Sequence, residues 1–207
     1  MGDYKAVLFD MDGVLVDAPD WHFEALNRAL GLFGYTITRD EHDAFYNGLP
    51  TRKKLEKLSQ EKALPVTLHS FINEMKQQYT IDCIHRYIQP EFSKQIMLKT
   101  LKKRGIKIAV CSNAIRKTIE LILEKGMLLP YVDLIISNQE VTKNKPDPEI
   151  YINAMQRFEV APHETIIVED SPHGIAAARA AQAQVIIVRN ATEVHLNIFK
   201  GFIHDIF

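Results

Sequence analysis

Two acids, Asp10 and Asp12, stand two residues apart at the end of the apolar run Ala6-Val7-Leu8-Phe9, and Gly13 follows them. An unbroken apolar run of this kind reads as a fully buried strand. Carboxylates at the end of such a strand repel each other and lose hydration. A bound cation keeps both ionised, and hard oxygen ligands suit Mg2+. A calcium loop does not fit, because Gly13 is misplaced for one and Trp21 occupies the position of the closing Glu. The plainer alternative is a strand-end turn carrying two exposed acids. A second acid pair, Glu169-Asp170, ends the run Thr165–Val168 and leads through Ser171-Pro172-His173-Gly174 into a helix. Burial of charge again argues for a metal. Between the pairs lie Cys111-Ser112-Asn113 and Lys143-Asn144-Lys145-Pro146-Asp147-Pro148. A hydroxyl, an amide and the free N–H groups of a helix start can cradle a phosphate, although Ser or Asn there also serves as an ordinary cap. Lys145, on a stiff proline-flanked turn, can offer a cation, although taken alone it also reads as a surface lysine. Together the four motifs supply metal ligands, a phosphate cradle and a counter-cation, which is the equipment of phosphoryl transfer.

These residues need a sheet that brings its strand ends together. Apolar runs at Ala6–Phe9, Ile106–Cys111, Thr165–Val168 and Val185–Val188, with a shorter one at Leu134–Ile136, predict strands. Ile115, Ile119, Ile122 and Leu123 repeat at helical spacing, with Gly126 as a stop, and Ile150, Ala154, Met155 and Phe158 do the same. Ser171 and Pro172 form a cap and first-turn pair before an Ala-rich helix. Strands alternating with helices predict an α/β fold with a parallel sheet and helices on both faces. Open sheets of this class place ligands at the carboxyl ends of their strands.

From about Pro19 to Ile88 the rhythm changes. Phe23, Leu26, Leu30 and Phe33 form a helical stripe ending at Gly34, and Thr38-Arg39-Asp40-Glu41 reads as a capping box. Leu55 and Leu58 mark a short helix, and Leu68, Phe71, Ile72, Met75 and Tyr79 a longer one. Consecutive helices predict a separate small helical domain over 18–88, inserted after the first strand of a core formed by 1–17 and 89–207. Lys53, Lys54, Lys57 and Lys62 read as a solvated face. A basic helix for nucleic acid is the alternative, against which acids are interleaved and aromatics are absent.

The bulk composition limits the partners. With 207 residues, 46% hydrophobic and 25% charged, the chain suits one ordinary domain with an insertion. A net charge of -1 provides no field for nucleic acid or an anionic membrane. No stretch reaches the roughly 18 apolar residues of a membrane span. Cys111 lies in an apolar run far from Cys83, as a small core residue rather than a disulfide partner. Its reading, with no visible signal peptide, fits a reducing cytoplasm.

In order and spacing the four motifs resemble those of the haloacid dehalogenase superfamily, within the branch that holds β-phosphoglucomutase, phosphoglycolate phosphatase and small sugar-phosphate phosphatases. The resemblance implies a Rossmann-like core with a helical cap, and a cytoplasmic, Mg2+-dependent phosphatase of a small phosphorylated metabolite, as a monomer or weak dimer. It makes Asp10 the nucleophile that forms an aspartyl phosphate, and Asp12 the general acid and then base, whose carbonyl also touches Mg2+. Ser112 and Lys145 hold the phosphoryl oxygens with the Asn113 backbone N–H. Asp170 ligates Mg2+, and Glu169 does so directly or through water. Cap contacts fall to His22, the Gly48-Leu49-Pro50-Thr51-Arg52 loop and Lys76. His22 stands where the mutase has a hinge histidine, and reads equally as a packed or surface histidine. A phosphosugar mutase shares these core residues. A non-catalytic phospho-ligand sensor would need no nucleophile and acid together.

Overall fold

A computed structural model of the chain describes residues 3–46 and 49–203. The chain divides into two compact units, Met1–Asp17 with Ile88–Phe207, and Ala18–Tyr87. In chain order the elements are β1 (Ala6–Phe9), α1 (Pro19–Gly31), α2 (Thr51–Lys62), α3 (His69–Tyr87), α4 (Phe92–Lys103), β2 (Lys107–Cys111), α5 (Arg116–Lys125), β3 (Leu134–Ile136), α6 (Glu149–Phe158), β4 (Thr165–Glu169), α7 (Pro172–Ala180) and β5 (Gln184–Ile187), with short 3-10 and π turns between some of them.

In the first unit the strands form one parallel sheet, ordered β3-β2-β1-β4-β5. Central β1 is buried on both sides, as the continuous apolar run requires. Leu8, Ala109 and Ile167 face a core that includes Ile150, Tyr151, Ala154, Met155, Ala177 and Ala178 of α6 and α7. The opposite face, with Val7, Phe9, Val110 and Val168, is equally buried, and Phe9 meets the Phe199 ring edge-on at 6.1 Å. β1 pairs with β2 on one side and β4 on the other, with Phe9 opposite both Val110 and Val168. Asp10, Cys111 and Glu169 are therefore the next residues in register at the carboxyl ends. Strand order reverses between β1 and β4, the switch point where such sheets bind ligands. Helix α4 has no counterpart in the periodicity reading. Its buried Met97, Leu98 and Leu101 belong to a lysine-rich segment whose stripe is short. Gly126 is the cap residue of α5 but stays right-handed, and Met127 takes the left-handed turn at φ +55°.

The second unit is helical. Leu26, Leu30, Ile37, Leu55, Leu58 and Ile72 are among its buried core. The capping box is present: Thr38 Oγ1 accepts from the Glu41 N–H at 3.1 Å, and Glu41 Oε2 accepts from the Thr38 N–H at 2.7 Å. It opens one helical turn, followed by a π turn over His42–Tyr46. Phe71 is 46% exposed and meets Phe33 edge-on at the surface. One expectation is corrected. Lys54 does not join a solvated face. It is only 8% exposed, with Nζ 3.5 Å from His42 Nε2, because it precedes Leu55 on the inward side of α2. Among the described residues no helix is long and apolar enough to cross a membrane.

Candidate functional site

The carboxyl ends of β1 and β4 carry a cluster of charge. Lys145 Nζ donates to Asp10 Oδ1 at 2.6 Å, to Glu169 Oε1 at 2.7 Å and to the Cys111 carbonyl at 2.9 Å. An ammonium has three N–H donors, so all three are used, two on carboxylates. Lys145 is held for this by its turn, where its backbone N–H donates to Asn113 Oδ1 at 3.3 Å. Glu169 is fully buried. Its Oε2 accepts from the backbone N–H of Asp170 at 3.1 Å and from the Ser171 N–H and Oγ, each at 3.4 Å. Its Oε1 accepts a second hydrogen bond, from the Tyr151 hydroxyl at 2.5 Å.

Burial sets the electrostatics. It pushes the Asp10 carboxyl well above its usual range, with Lys145 opposing and Glu169 and Asp12 adding to the rise. Asp170 is pushed up to about 6, first by burial and then by the Glu169 charge. Burial works against the charged form of Lys145, but Asp10 and Glu169 outweigh it and keep the ammonium protonated beyond its normal range. The Cys111 thiol is raised to about 12 by burial, which makes it an inert core group and not a nucleophile.

Asp10 and Asp170, with Glu169 beside them, form an acid cluster that fits a divalent cation. Oxygens of Asp10, Glu169 and Asp170 lie within 4.8 Å of one another. Asp170 Oδ1 is buried yet accepts no hydrogen bond, and buried acceptors are rarely left so. Two glycines make room for the cluster. Gly13, at φ +82°, and Gly174, in the first turn of α7, each have a carboxylate where a Cβ would stand, Asp170 for the former and Glu169 for the latter. Any side chain at either position displaces an acid.

Asp12 sits half-buried in a tight turn in which Gly13 N–H donates to the Val16 carbonyl at 2.7 Å and Met11 O accepts from Leu15 and Val16. Its charge acts on both Asp10 and Asp170. Ser112 is buried at the end of β2, its Oγ accepting from the Ala114 N–H at 3.1 Å while its N–H donates to Ile136 O. So the structure places Asp10, Asp12, Ser112, Asn113, Lys145, Glu169 and Asp170 on one unit, and joins Asp10, Lys145 and Glu169 by direct hydrogen bonds. His22, Arg52 and Lys76 belong to the helical unit. Arg52 is strongly exposed and its Nε pairs with Glu56 at 3.1 Å. His22 and Lys76 are half-buried on α1 and α3. Gly48 lies outside the described residues. The helical stripe read from Ile150, Ala154, Met155 and Phe158 left out Tyr151 and its hydroxyl. The signal was present, because a tyrosine inside a buried stripe needs a partner for its O–H.

The sequence matches the haloacid dehalogenase-like hydrolase family over residues 7–188. It is 30% identical over 180 residues to a phosphorylated carbohydrates phosphatase of Thermotoga maritima, covering 86% of this chain and 81% of that protein. It is 29% identical to a phosphoglycolate phosphatase of Nitrosospira multiformis, covering 89% and 82%. Its fold is shared with β-phosphoglucomutase of Clostridium difficile, at a TM-score of 0.80, 20% identity and 96% coverage of each chain. The chain belongs to the haloacid dehalogenase-like hydrolase family, on the branch that holds phosphoric monoester hydrolases.

Proposed function

We propose that the enzyme hydrolyses a small phosphorylated metabolite, such as a sugar phosphate, through an aspartyl phosphate on Asp10, with Mg2+ held by Asp10, Asp170 and the Asp12 carbonyl. The observation that carries this reading is the Lys145 contact to Asp10. A lysine with its three donors fixed holds a buried carboxylate in one orientation, ready to attack, and this is the positioning that phosphoryl transfer needs. The phosphatase names of the relatives in Thermotoga maritima and Nitrosospira multiformis support the reaction class. Bound among these acids, Mg2+ neutralises charge on the phosphoryl oxygens and on the attacking carboxylate. Asp10 supplies the nucleophilic oxygen. Ser112, with its own O–H as donor, and the Asn113 backbone N–H bind the phosphoryl oxygens, and Lys145 shares its Asp10-facing proton with them. Asp12 protonates the leaving oxygen and then takes the proton of the attacking water.

The reading is tested by phosphate release from an aryl phosphate and from a panel of sugar phosphates. Turnover is expected with Mg2+ and is abolished by excess EDTA, and Ca2+ supports it poorly because its larger, looser shell misplaces the nucleophile. Full turnover in EDTA removes the proposal. Acid also weakens metal binding. With its carboxyl at about 6, Asp170 takes a proton in competition with the cation, so calorimetry should give Mg2+ affinity about tenfold lower at pH 5 than at pH 7.5. In metal-free protein the folded pKa of Asp170 exceeds the unfolded value of about 3.9. Its contribution to stability is therefore complete below that value and is lost as pH rises through about 6. Mg2+ should reverse this loss, raising the melting temperature more at pH 7.5 than at pH 5.

Asp12→Asn separates the two acids. The variant should retain Mg2+ binding, since the backbone carbonyl is unchanged. Its kcat should fall by ~10²–10⁴, the usual size of general acid–base catalysis. A variant with normal kcat would return Asp12 to a structural turn.

A further inference from the structure

Tyr151 is fully buried in the first turn of α6, where its N–H donates to the Pro148 carbonyl at 3.0 Å. The lysine turn therefore delivers Lys145 and Tyr151 together. The Lys145 ammonium lies 4.8 Å from the Tyr151 ring centroid, and both residues donate to the same oxygen, Glu169 Oε1. With three further donors on Oε2, Glu169 meets five in all, against about four lone-pair sites on a carboxylate. No lone pair is left over for a cation. Among the cluster acids this sets Glu169 apart from Asp170, whose Oδ1 accepts nothing.

We propose that Tyr151 is a positioning residue for the reaction: its hydroxyl occupies Glu169 Oε1, so that Glu169 braces Lys145, and through it Asp10, instead of ligating the metal. The proposal rests on the phosphoryl-transfer reading of the site. The hydrogen bonds run in one chain, from Tyr151 O–H to Glu169 Oε1, and from Lys145 Nζ to both Glu169 and Asp10. Oε1 has two donors, Lys145 and Tyr151, so removing the hydroxyl leaves that oxygen with Lys145 alone and one lone pair uncommitted next to the acid cluster. That oxygen is then open to the cation, and it draws Lys145 away from Asp10. Metal binding and turnover should move in opposite directions. A tyrosine that merely satisfied its own O–H would affect only stability.

The test is Tyr151→Phe, which keeps the ring and so the packing. Calorimetric titration of the metal-free variant with MgCl2 should show tighter binding, by several-fold. With an aryl phosphate at saturating Mg2+, kcat should fall about tenfold, the scale of second-layer substitutions at metal sites, and KM should stay within about twofold of wild type. In a Glu169→Gln background the same substitution should leave Mg2+ affinity unchanged, because Tyr151 acts through that carboxylate. Unchanged or weaker Mg2+ binding in Tyr151→Phe, or an unchanged kcat with only a lower melting temperature, overturns the proposal. If the wild type releases no phosphate from any substrate, the phosphatase reading fails, and the two Mg2+ titrations still decide whether Tyr151 controls Glu169.

Discussion

Asp10→Asn is expected to lose turnover on every substrate, by ~10⁴-fold or more, on the scale of deleting a covalent nucleophile in other enzymes. An amide oxygen still accepts the Lys145 hydrogen bond, but it does not form the acyl phosphate. The same variant should fold at least as well as wild type without metal. Asp10 is a buried acid whose charge is disfavoured by burial and by Glu169, and its removal leaves Lys145 and Glu169 as a balanced pair at 2.7 Å. Phosphate release and melting temperature measured together give a clear signature: no activity and no loss of stability. Near-normal turnover would show that another group attacks. Inactivity with a collapsed melting temperature would show that Asp10 is chiefly structural.

Lys145→Ala is expected to damage both properties. It strands Asp10 and Glu169 as buried carboxylates with their shared cation gone. Removing one partner of a buried ion pair typically costs about 3–5 kcal/mol. Turnover should be lost equally for an aryl phosphate and for the preferred metabolite, because both present the same phosphoryl group. Mg2+ should raise the melting temperature of this variant more than that of wild type, since the cation then offsets a larger excess of negative charge. A smaller Mg2+ effect than in wild type would mean that the acids have collapsed or taken up protons. Unequal losses on the two substrates would place Lys145 on the leaving group.

The acids were legible in the sequence because their cost is local. Asp10 and Glu169 each follow a run that can only be a buried strand, and charge at such a place calls for a compensating partner. The sheet was legible for the same reason, each strand being a short apolar run between turn residues. The pairing of Lys145 with both acids was not legible, because it depends on strand order and register, which lie outside any local window. Helix α4 was missed because Met97, Leu98 and Leu101 are diluted among lysines. Lys54 was misread because one charged residue on the inward side of α2 looks, in sequence, like its exposed neighbours. Tyr151 escaped because the stripe was read from Ile150, Ala154, Met155 and Phe158, and a polar hydroxyl on the same face adds nothing to an apolar period.

The position of β1 at the middle of the sheet has a consequence for synthesis of the chain. Its two neighbours arrive at very different times. β2 follows closely on the helical unit, but Val168, which pairs with Phe9, comes 159 positions after it. At about 5–20 residues per second that interval is roughly 8–32 s. Throughout it, Ala6-Val7-Leu8-Phe9 has at least one open edge, and such an edge recruits other strands. A nascent chain that stalls before β4 therefore carries an adhesive N-terminus and half of an acid cluster. The edge that β4 covers in the finished sheet is thus open for most of the time the chain spends on the ribosome.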